Sequence, residues 1–317
     1  MVDKLLELDD LAVHFTVGGA LRGGTKILKA VDGVSLDVKP GECLGLVGES
    51  GCGKSSLALA IMGLIPPTRG RVTLNGHELS ARDRMETART VQMVFQDPYA
   101  SLNPRQTVRR TLADPLRLHG ITNKTEVEHR VMDMMDKVGL RRDRADRYPH
   151  EFSGGQRQRI GIARALILQP KLVICDEPVS ALDVSIRAQI LNLLRDLQAE
   201  LGLAYLFIAH DLAAVAHMSH TIAVMYLGRI VEIGTADTVA NASKHPYTRA
   251  LFAAALPSHP DEKREEIVLQ GEVPSPLNPP SGCHFHPRCP QVMDRCRSDG
   301  PKLRPIDAVQ VACHLYE

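Results

Sequence analysis

The chain has 317 residues, of which 44% are hydrophobic and 24% charged, so it can bury one large core and carry an additional region. Its 38 basic and 37 acidic side chains leave a formal net charge of +1, and no global field favours nucleic acid or anionic lipid as a partner. Acidic residues interrupt the first ten positions, which argues against a secretory signal peptide. No window holds the roughly 18 uninterrupted apolar residues of a membrane-spanning helix, so a membrane role has to come through a partner.

Short apolar runs that end in glycine or an acid alternate with helix-like segments over most of the chain. These runs are 43–47, 91–95, 172–175, 203–209 and 222–226. Several are apolar throughout, as expected for strands that are buried on both faces. The alternation predicts a layered α/β domain around a largely parallel sheet.

The first chemical motif follows the first of these runs and matches the phosphate-loop pattern G-x-x-x-x-G-K-[ST]. It reads Gly48-Glu49-Ser50-Gly51-Cys52-Gly53-Lys54-Ser55, and a helix-like segment begins at Ser56. Glycines let consecutive N–H groups converge on phosphate oxygens, and a helix start adds positive potential. Lys54 suits the β- and γ-phosphates and Ser55 suits Mg²⁺. The alternative is a glycine-rich turn without a ligand.

Between Gln96 and Ser153 the character of the sequence changes from strand-like to turn-rich and then helical. This change predicts an inserted helical subdomain over about 97–155. Apolar residues recur at helical spacing there, which is typical of an ordinary helix core. They are Val127, Val131, Met134, Met135 and Val138.

A second pair of glycines opens a helix-like run over 156–166, in the stretch Phe152-Ser-Gly-Gly-Gln-Arg-Gln-Arg159. Such a helix start presents N–H groups with positive potential, which suits a γ-phosphate. One nucleotide needs only one phosphate loop, and the residues alone do not say what this second set contacts.

Two adjacent carboxylates, Asp176 and Glu177, end the apolar run that begins at Leu172. Asp176 is suited to hold Mg²⁺ through its water shell, and Glu177 to orient or deprotonate the attacking water. Acids at a strand end are often simple caps, but the phosphate loop upstream favours the catalytic interpretation.

The stretch 152–159 resembles the signature motif of ABC transporter ATPases, and the order of all these motifs along the chain is also similar to that family. The resemblance covers residues 5–317 or nearly so, and it departs at Phe152, where leucine is commoner. It implies a P-loop NTPase fold with an ABC ATPase core: a largely parallel sheet with flanking helices, an antiparallel β part and an inserted helical subdomain. It also implies roles for further residues: Gln96 as the Q-loop glutamine and a magnesium ligand, Ser180-Ala-Leu-Asp183 as the D-loop, His210 as the switch histidine, and Phe15 as the aromatic that stacks on adenine.

The resemblance further implies that two subunits sandwich two ATP molecules, each between the phosphate loop of one subunit and the signature of the other. The signature residues Ser153, Gly154, Gly155 and Gln156 would then contact ATP in trans. Glu177, His210 and Gln96 would form the catalytic set. Alone, a histidine such as His210 is more often a hydrogen-bonded core residue.

The C-terminal segments 245–251 and 271–290 resemble the extension of dipeptide and oligopeptide importer ATPases. We therefore expect a nucleotide-binding domain over 1–235 and a Cys-rich extension over 236–317. The phosphate loop resembles that of the second of two paired ATPase subunits. Expected partners are a related ATPase in a heterodimer, two integral membrane permease subunits and an extracytoplasmic substrate-binding protein, with no nucleic acid, at the cytoplasmic face of the inner membrane. Nickel importers share this extension, so nickel or another solute is the alternative cargo.

Four of the seven cysteines lie in the last 35 residues, with five, six and sixteen residues between them: Cys283, Cys289, Cys296 and Cys313. Thiolates bind either zinc or iron, and this spacing does not distinguish the two metals. The resemblance favours a [4Fe-4S] cluster, with Zn²⁺ as the alternative, and His284, His286 and His314 as substitute ligands. Four unligated cysteines are the remaining possibility. Cys52 and Cys175 are interpreted as small core residues.

Two other classes of function remain. An ABC ATPase that acts on DNA or ribosomes shares the phosphate chemistry, but such proteins carry long heptad arrays or two ATPase domains in one chain. A catalytically inactive binding subunit would lack parts of the set formed by Lys54, Glu177 and His210, all of which are present. We therefore expect an ATPase of the translocase class.

Overall fold

The computed structural model describes residues 4–18, 25–79, 84–254, 267 and 269–317. Its strands in chain order are β1 (Leu6–Val17), β2 (Lys26–Val38), β3 (Cys43–Val47), β4 (Arg69–Leu74), β5 (His77–Glu78), β6 (Val91–Val94), β7 (Leu172–Asp176), β8 (Ala204–Ile208), β9 (Thr221–Tyr226), β10 (Arg229–Thr235), β11 (Arg304–Ile306) and β12 (Val309–Val311).

The helices in chain order are α1 (Lys54–Ile61), α2 (Arg84–Thr90), α3 (Val108–Leu118), α4 (Lys124–Lys137), α5 (Gly154–Leu166), α6 (Val184–Leu201), α7 (Leu212–Met218), α8 (Ala236–Ala242), α9 (Pro246–Ala253) and α10 (Asp294–Ser298). Short 3-10 helices lie at Arg142–Arg144, Pro149–Glu151, His286–Arg288 and His314–Tyr316. Within the described ranges, none of the helices has the length and apolar character needed to span a bilayer.

The chain divides into two compact units, of which the first comprises Met1–Leu5, Lys39–Glu42 and Ser80–Phe207. Its strands lie in the order β8-β7-β6. β6 and β7 are parallel, with Val91 opposite Leu172 and Val94 opposite Cys175. Residues 172–175 are at most 1% exposed. The predicted parallel strands, buried on both faces, are confirmed here.

Helices of the first unit pack around α5, which contacts β6, α3, α4 and α6. The apolar stripe predicted on α4 and after it is buried, with each of its five side chains at most 5% exposed. Side-chain caps begin α3 and α4: the Thr107 side chain accepts from the N–H of Arg110, and that of Asn123 from the N–H of Glu126. Arg109 joins these helices to the segment after them by ion pairs with Asp146 and Glu128.

The second unit comprises Leu6–Val38, Cys43–Leu79 and Ile208–Glu317. One of its sheets is antiparallel, with the order β2-β1-β4-β5, and the other strands lie in the order β11-β12-β10-β9-β3. β3 is parallel to β9, with Leu44 opposite Thr221. β12 pairs antiparallel with β10, with Glu232 opposite Val311. Strands from the end of the chain therefore extend the sheet that contains the strand leading into the phosphate loop.

Candidate functional site

The phosphate loop joins β3 to α1 in the second unit and adopts a conformation that only glycine tolerates. Its glycines have positive φ: 154° at Gly48, 78° at Gly51 and 111° at Gly53. A Cβ on Gly48 would lie 2.2 Å from the carbonyl oxygen of Met225, and one on Gly53 would lie 2.0 Å from that of Ala30. The loop is therefore wrapped tightly between β9 and β2, and any side chain at these two positions would displace backbone.

Lys54 places a buried ammonium group inside this loop. Its Nζ donates hydrogen bonds to the carbonyl oxygens of Gly48 (2.7 Å) and Glu49 (3.0 Å), and the residue is only 8% exposed. Ser55 and Ser50 are exposed, whereas Ser56 is partly buried. A positive charge held within a ring of backbone groups at a helix start fits a phosphate group. The assignment of Lys54 to the β- and γ-phosphates stays a prediction.

Cys52 lies beside this charge as a neutral thiol. Burial raises its pKa, although the Lys54 ammonium acts in the opposite direction, and its Sγ lies 3.6 Å from Nζ. Its backbone carbonyl accepts a hydrogen bond from the N–H of Gly228 at 2.9 Å. A small buried side chain with a raised pKa is poorly suited to nucleophilic chemistry, in keeping with the interpretation as a core residue.

Two residues of the C-terminal region contact the phosphate loop, and the sequence did not predict them. The N–H of Glu49 donates to the hydroxyl oxygen of Tyr247 at 2.9 Å. The carboxylate of Glu49 accepts two hydrogen bonds from the guanidinium of Arg288, at 2.8 and 3.1 Å. These partners lie 198 and 239 positions along the chain from Glu49. No local pattern could have paired them, because the contact exists only once the sheet is assembled.

Phe15 and His210 also belong to the second unit. Phe15 lies on β1, opposite Leu28 of β2, and is partly exposed. His210 follows β8 and is exposed, directly before Asp211, which caps α7 by accepting from the N–H of Ala214. Their assignments to adenine and to the γ-phosphate stay predictions.

The first unit brings two of the predicted catalytic residues together. The amide nitrogen of Gln96 donates to Oε2 of Glu177 at 2.7 Å. This contact follows from the topology, because both residues come just after parallel neighbouring strands, β6 and β7, whose carboxyl ends meet at one edge. Asp176 and Glu177 are both partly buried at that edge.

Glu177 occupies a left-handed backbone conformation with φ of 48°, uncommon for a residue other than glycine. Ser180 stabilises this turn, because its N–H and its hydroxyl both donate to the carbonyl oxygen of Glu177, at 3.2 and 3.1 Å. Asp183 follows as the N-cap position of α6 and accepts from the N–H of Arg187 through its backbone carbonyl at 2.8 Å. A D-loop serine therefore shapes the backbone of the predicted catalytic base.

The signature stretch forms the beginning of α5, two residues earlier than the predicted run. Ser153 caps this helix by accepting from the N–H of Gln156, whose side chain accepts in return from the N–H of Ser153, at 3.4 and 3.2 Å. A Cβ on Gly155 would lie 2.5 Å from Cγ2 of Ile186 in α6. Gly154 has more room, with Leu182 at 3.7 Å. The second signature glycine thus has a packing role in addition to any role toward phosphate.

The predicted iron–sulfur or zinc site on the four C-terminal cysteines is wrong. Among the described residues, which include all four cysteines and the three nearby histidines, no group of three or more His, Cys, Asp or Glu could hold a metal ion. All four are free thiols. Burial raises the pKa of Cys283 and of Cys313 to about 11, and it also raises the pKa of Cys289. The arrangement of these side chains, which forms no group able to hold a metal ion, is what overturns the prediction.

Comparison with protein families matches two parts of the chain. Residues 31–180 match the ABC transporter family, and residues 231–296 match the C-terminal region of oligopeptide/dipeptide transporters.

Curated relatives match nearly the whole chain. The oligopeptide transport ATP-binding protein OppF of Escherichia coli (strain K12) is 54% identical, over 98% of this chain and 95% of OppF. The putative oligopeptide transport ATP-binding protein YkfD of Bacillus subtilis (strain 168) is 51% identical, over 98% of this chain and 95% of YkfD. The dipeptide transport ATP-binding protein DppF of E. coli (strain K12) is 48% identical, over 99% of this chain and 95% of DppF.

Solved structures show the same fold. CbiO1 of Clostridium perfringens, part of the ABC transporter complex cbiONQ, superposes with a TM-score of 0.66 at 27% identity, over 76% of this chain and 92% of cbiO1. The ATP-binding cassette MJ0796, in a dimeric post-hydrolysis state bound to ADP and Pi, gives a TM-score of 0.64 at 26% identity, over 73% and 98% of the two chains. The predicted ABC ATPase fold is therefore confirmed.

Proposed function

The chain belongs to the family of ABC transporter ATP-binding proteins for oligopeptides and dipeptides, and from this membership we propose that it hydrolyses MgATP to power the import of small peptides. The observation that carries the ATPase assignment is the loop that holds the buried Lys54 ammonium between two positions restricted to glycine. A buried ammonium group at the start of a helix suits a phosphate group. The two glycines are needed for this loop because a Cβ at either position would collide with the backbone behind it.

In this proposal the phosphates of ATP bind at the N–H groups of the loop and at Lys54, and Phe15 stacks on adenine. Ser55, Gln96 and Asp176 would hold Mg²⁺, which when bound neutralises negative charge on the phosphates. Their oxygen donors are those that Mg²⁺ prefers, and the exposed Ser55 hydroxyl stands at the start of α1.

Glu177 is the proposed general base, and Gln96 is the residue that holds its carboxylate in place through the 2.7 Å hydrogen bond. The carboxylate takes a proton from the attacking water as the oxygen of that water bonds to the γ-phosphorus. The bond from the γ-phosphorus to the β–γ bridging oxygen breaks at the same time, and ADP and inorganic phosphate are released. His210 assists by positioning water and γ-phosphate.

We propose that the signature residues Ser153, Gly154, Gly155 and Gln156, with Asp183, act on the nucleotide of a partner ATPase subunit in a head-to-tail dimer. The partner is a related and nonidentical chain. The pair works with two membrane permease subunits and an extracytoplasmic binding protein, at the cytoplasmic face of the membrane. Residues 1–235 serve as the nucleotide-binding domain, whose segment 97–150 transmits motion to the permeases, and residues 236–317 serve as its extension.

The test is transport by the assembled complex in proteoliposomes. We expect a labelled dipeptide to be taken up only with ATP, and Glu177→Gln to lower ATP hydrolysis about 10²-fold or more while ATP binding persists. Glu78→Gln, at an exposed carboxylate in β5 and outside segment 97–150, is the matched control and should hydrolyse ATP normally. Uptake of Ni²⁺ without dipeptide would reassign the cargo. Copurification with ribosomes or DNA and with no integral membrane protein would overturn the transporter assignment.

A further inference from the structure

A partly buried ion pair connects the C-terminal region to Glu49, the first residue after Gly48 in the phosphate loop. The side chain of Arg288 is 7% exposed, and both of its terminal nitrogens donate to the Glu49 carboxylate, which is 28% exposed. This two-point geometry fixes the orientation of a carboxylate more strongly than a single contact does. The pair also raises the pKa of Arg288, so its charge is permanent.

Glu49 is held from a second direction by Tyr247, whose hydroxyl accepts its N–H. Tyr247 is completely buried and packs against the rings of Tyr226 and Phe285, with centroids 4.7 and 5.5 Å away. Phe285 lies three residues before Arg288, and a backbone hydrogen bond joins the N–H of Arg288 to its carbonyl. The two groups that contact Glu49 therefore stand on one rigid aromatic cluster.

The contact reaches the phosphate-binding charge through one residue. The carbonyl of Glu49 accepts a hydrogen bond from Nζ of Lys54, while its N–H and its carboxylate are held by Tyr247 and Arg288. Releasing the carboxylate would remove one of these three contacts and leave Glu49 less restrained, although Tyr247 would still hold its N–H. Because the carbonyl of the same residue carries the lysine contact, a shift of Glu49 would change where the ammonium group lies.

We propose that Arg288 is a positioning residue for ATP binding, which keeps Glu49 and thereby Lys54 in the arrangement that receives phosphate. The inference rests on the proposed function of the phosphate loop and deepens it, since it makes the C-terminal extension a part of the nucleotide site. Arg288 does not touch the reacting atoms and acts through Glu49.

The test uses the full chain, both alone for nucleotide binding and in the assembled transporter for hydrolysis. Arg288→Lys keeps the charge and loses the two-point contact, and we expect KM for ATP to rise about tenfold, with kcat within about threefold of the unmodified chain. The dissociation constant of a fluorescent ATP analogue for the isolated chain should rise by about the same factor. Arg297→Lys, at an exposed arginine of the same region, is the matched control and should change neither value.

Glu49→Gln provides the second variant, because it keeps the volume of the side chain and removes the ion pair without touching Arg288. It should raise KM as Arg288→Lys does. The KM of the double variant should be no higher than that of the single variant with the higher KM, since both changes remove the same interaction. A lowered melting temperature with an unchanged KM would show a purely structural role and overturn the inference. An unmodified complex that binds the analogue and does not hydrolyse ATP would refute the proposed function alone, and the binding constants would still decide the role of Arg288.

Discussion

His245 should make the C-terminal region sensitive to acid, because its imidazole is both buried and used as a hydrogen-bond acceptor. The residue is 1% exposed and caps α9, where its Nδ1 accepts from the N–H of Tyr247 at 3.1 Å. Burial lowers its pKa from 6.5 to about 3. The ring of Phe285 packs 5.6 Å away, and the carboxylate of Glu232 accepts the backbone N–H of His245 at 3.0 Å.

The size of the effect follows from the two pKa values. Below pH 6.5 the unfolded chain binds a proton at His245 and the folded chain does not until about pH 3, so stability is full above this window and falls as pH falls through it. The free energy of unfolding should lose about 1.4 kcal/mol at pH 5.5 and about 2.7 kcal/mol at pH 4.5 from this residue alone. Glu232 acts in the opposite direction, because burial raises its pKa.

The informative variant is His245→Asn, since asparagine also caps helices by accepting a backbone N–H and does not titrate. Its stability should be below that of the unmodified chain at pH 7.5, and the difference should shrink at pH 5.5 and again at pH 4.5. Hydrogen exchange of peptides from α9 and β10 measures the local stability of this region, and the measurement is valid whether or not the two units unfold together. His77→Asn, in exposed β5, controls for the loss of one imidazole. Parallel loss of protection with pH in the unmodified chain and in His245→Asn would refute the reasoning.

Three further outcomes are expected. Gly53→Ala should weaken binding of ATP at least about tenfold by equilibrium dialysis, because the added Cβ would lie 2.0 Å from a carbonyl oxygen at a φ of 111°; unchanged affinity would contradict the strain. Gly155→Ala should lower the unfolding midpoint of the chain, since its Cβ would lie 2.5 Å from Ile186, and the added change Ile186→Ala should restore part of the loss if packing is the cause. Arg109→Ala should destabilise the first unit by about 1 kcal/mol in urea unfolding, because two partly exposed ion pairs are lost, and Asp146→Asn should reproduce about half of that effect.

Much of the site was predictable because its signals are local. The glycines of the short loop before Lys54 indicate positive φ angles, which the structure has. The helices that begin at Lys54 and Gly154 start within two residues of the predicted runs. The contact between Gln96 and Glu177 also follows from pattern, since both residues come just after buried parallel strands. These features depend on φ, hydrogen bonding within a few residues, and the order of strands.

The cysteine prediction failed because spacing along the chain says little about how the side chains are arranged in the folded protein. That arrangement, like the burial that raises the pKa of Cys283 and Cys313, depends on the elements packed around them. Resemblance supplied the expectation of a cluster, and the arrangement of the described side chains does not form one.

The sequence by itself determined the phosphate loop, the signature helix, the paired carboxylates and the family, because each is written in contiguous residues whose chemistry is local. Only the tertiary structure decided that Arg288 and Tyr247 contact Glu49 and that Ile186 leaves no room for a side chain at position 155. It also decided that β12 extends the sheet whose strand β3 leads into the phosphate loop. Those contacts join residues far apart in the chain, and their free energy is available only after the intervening elements have folded.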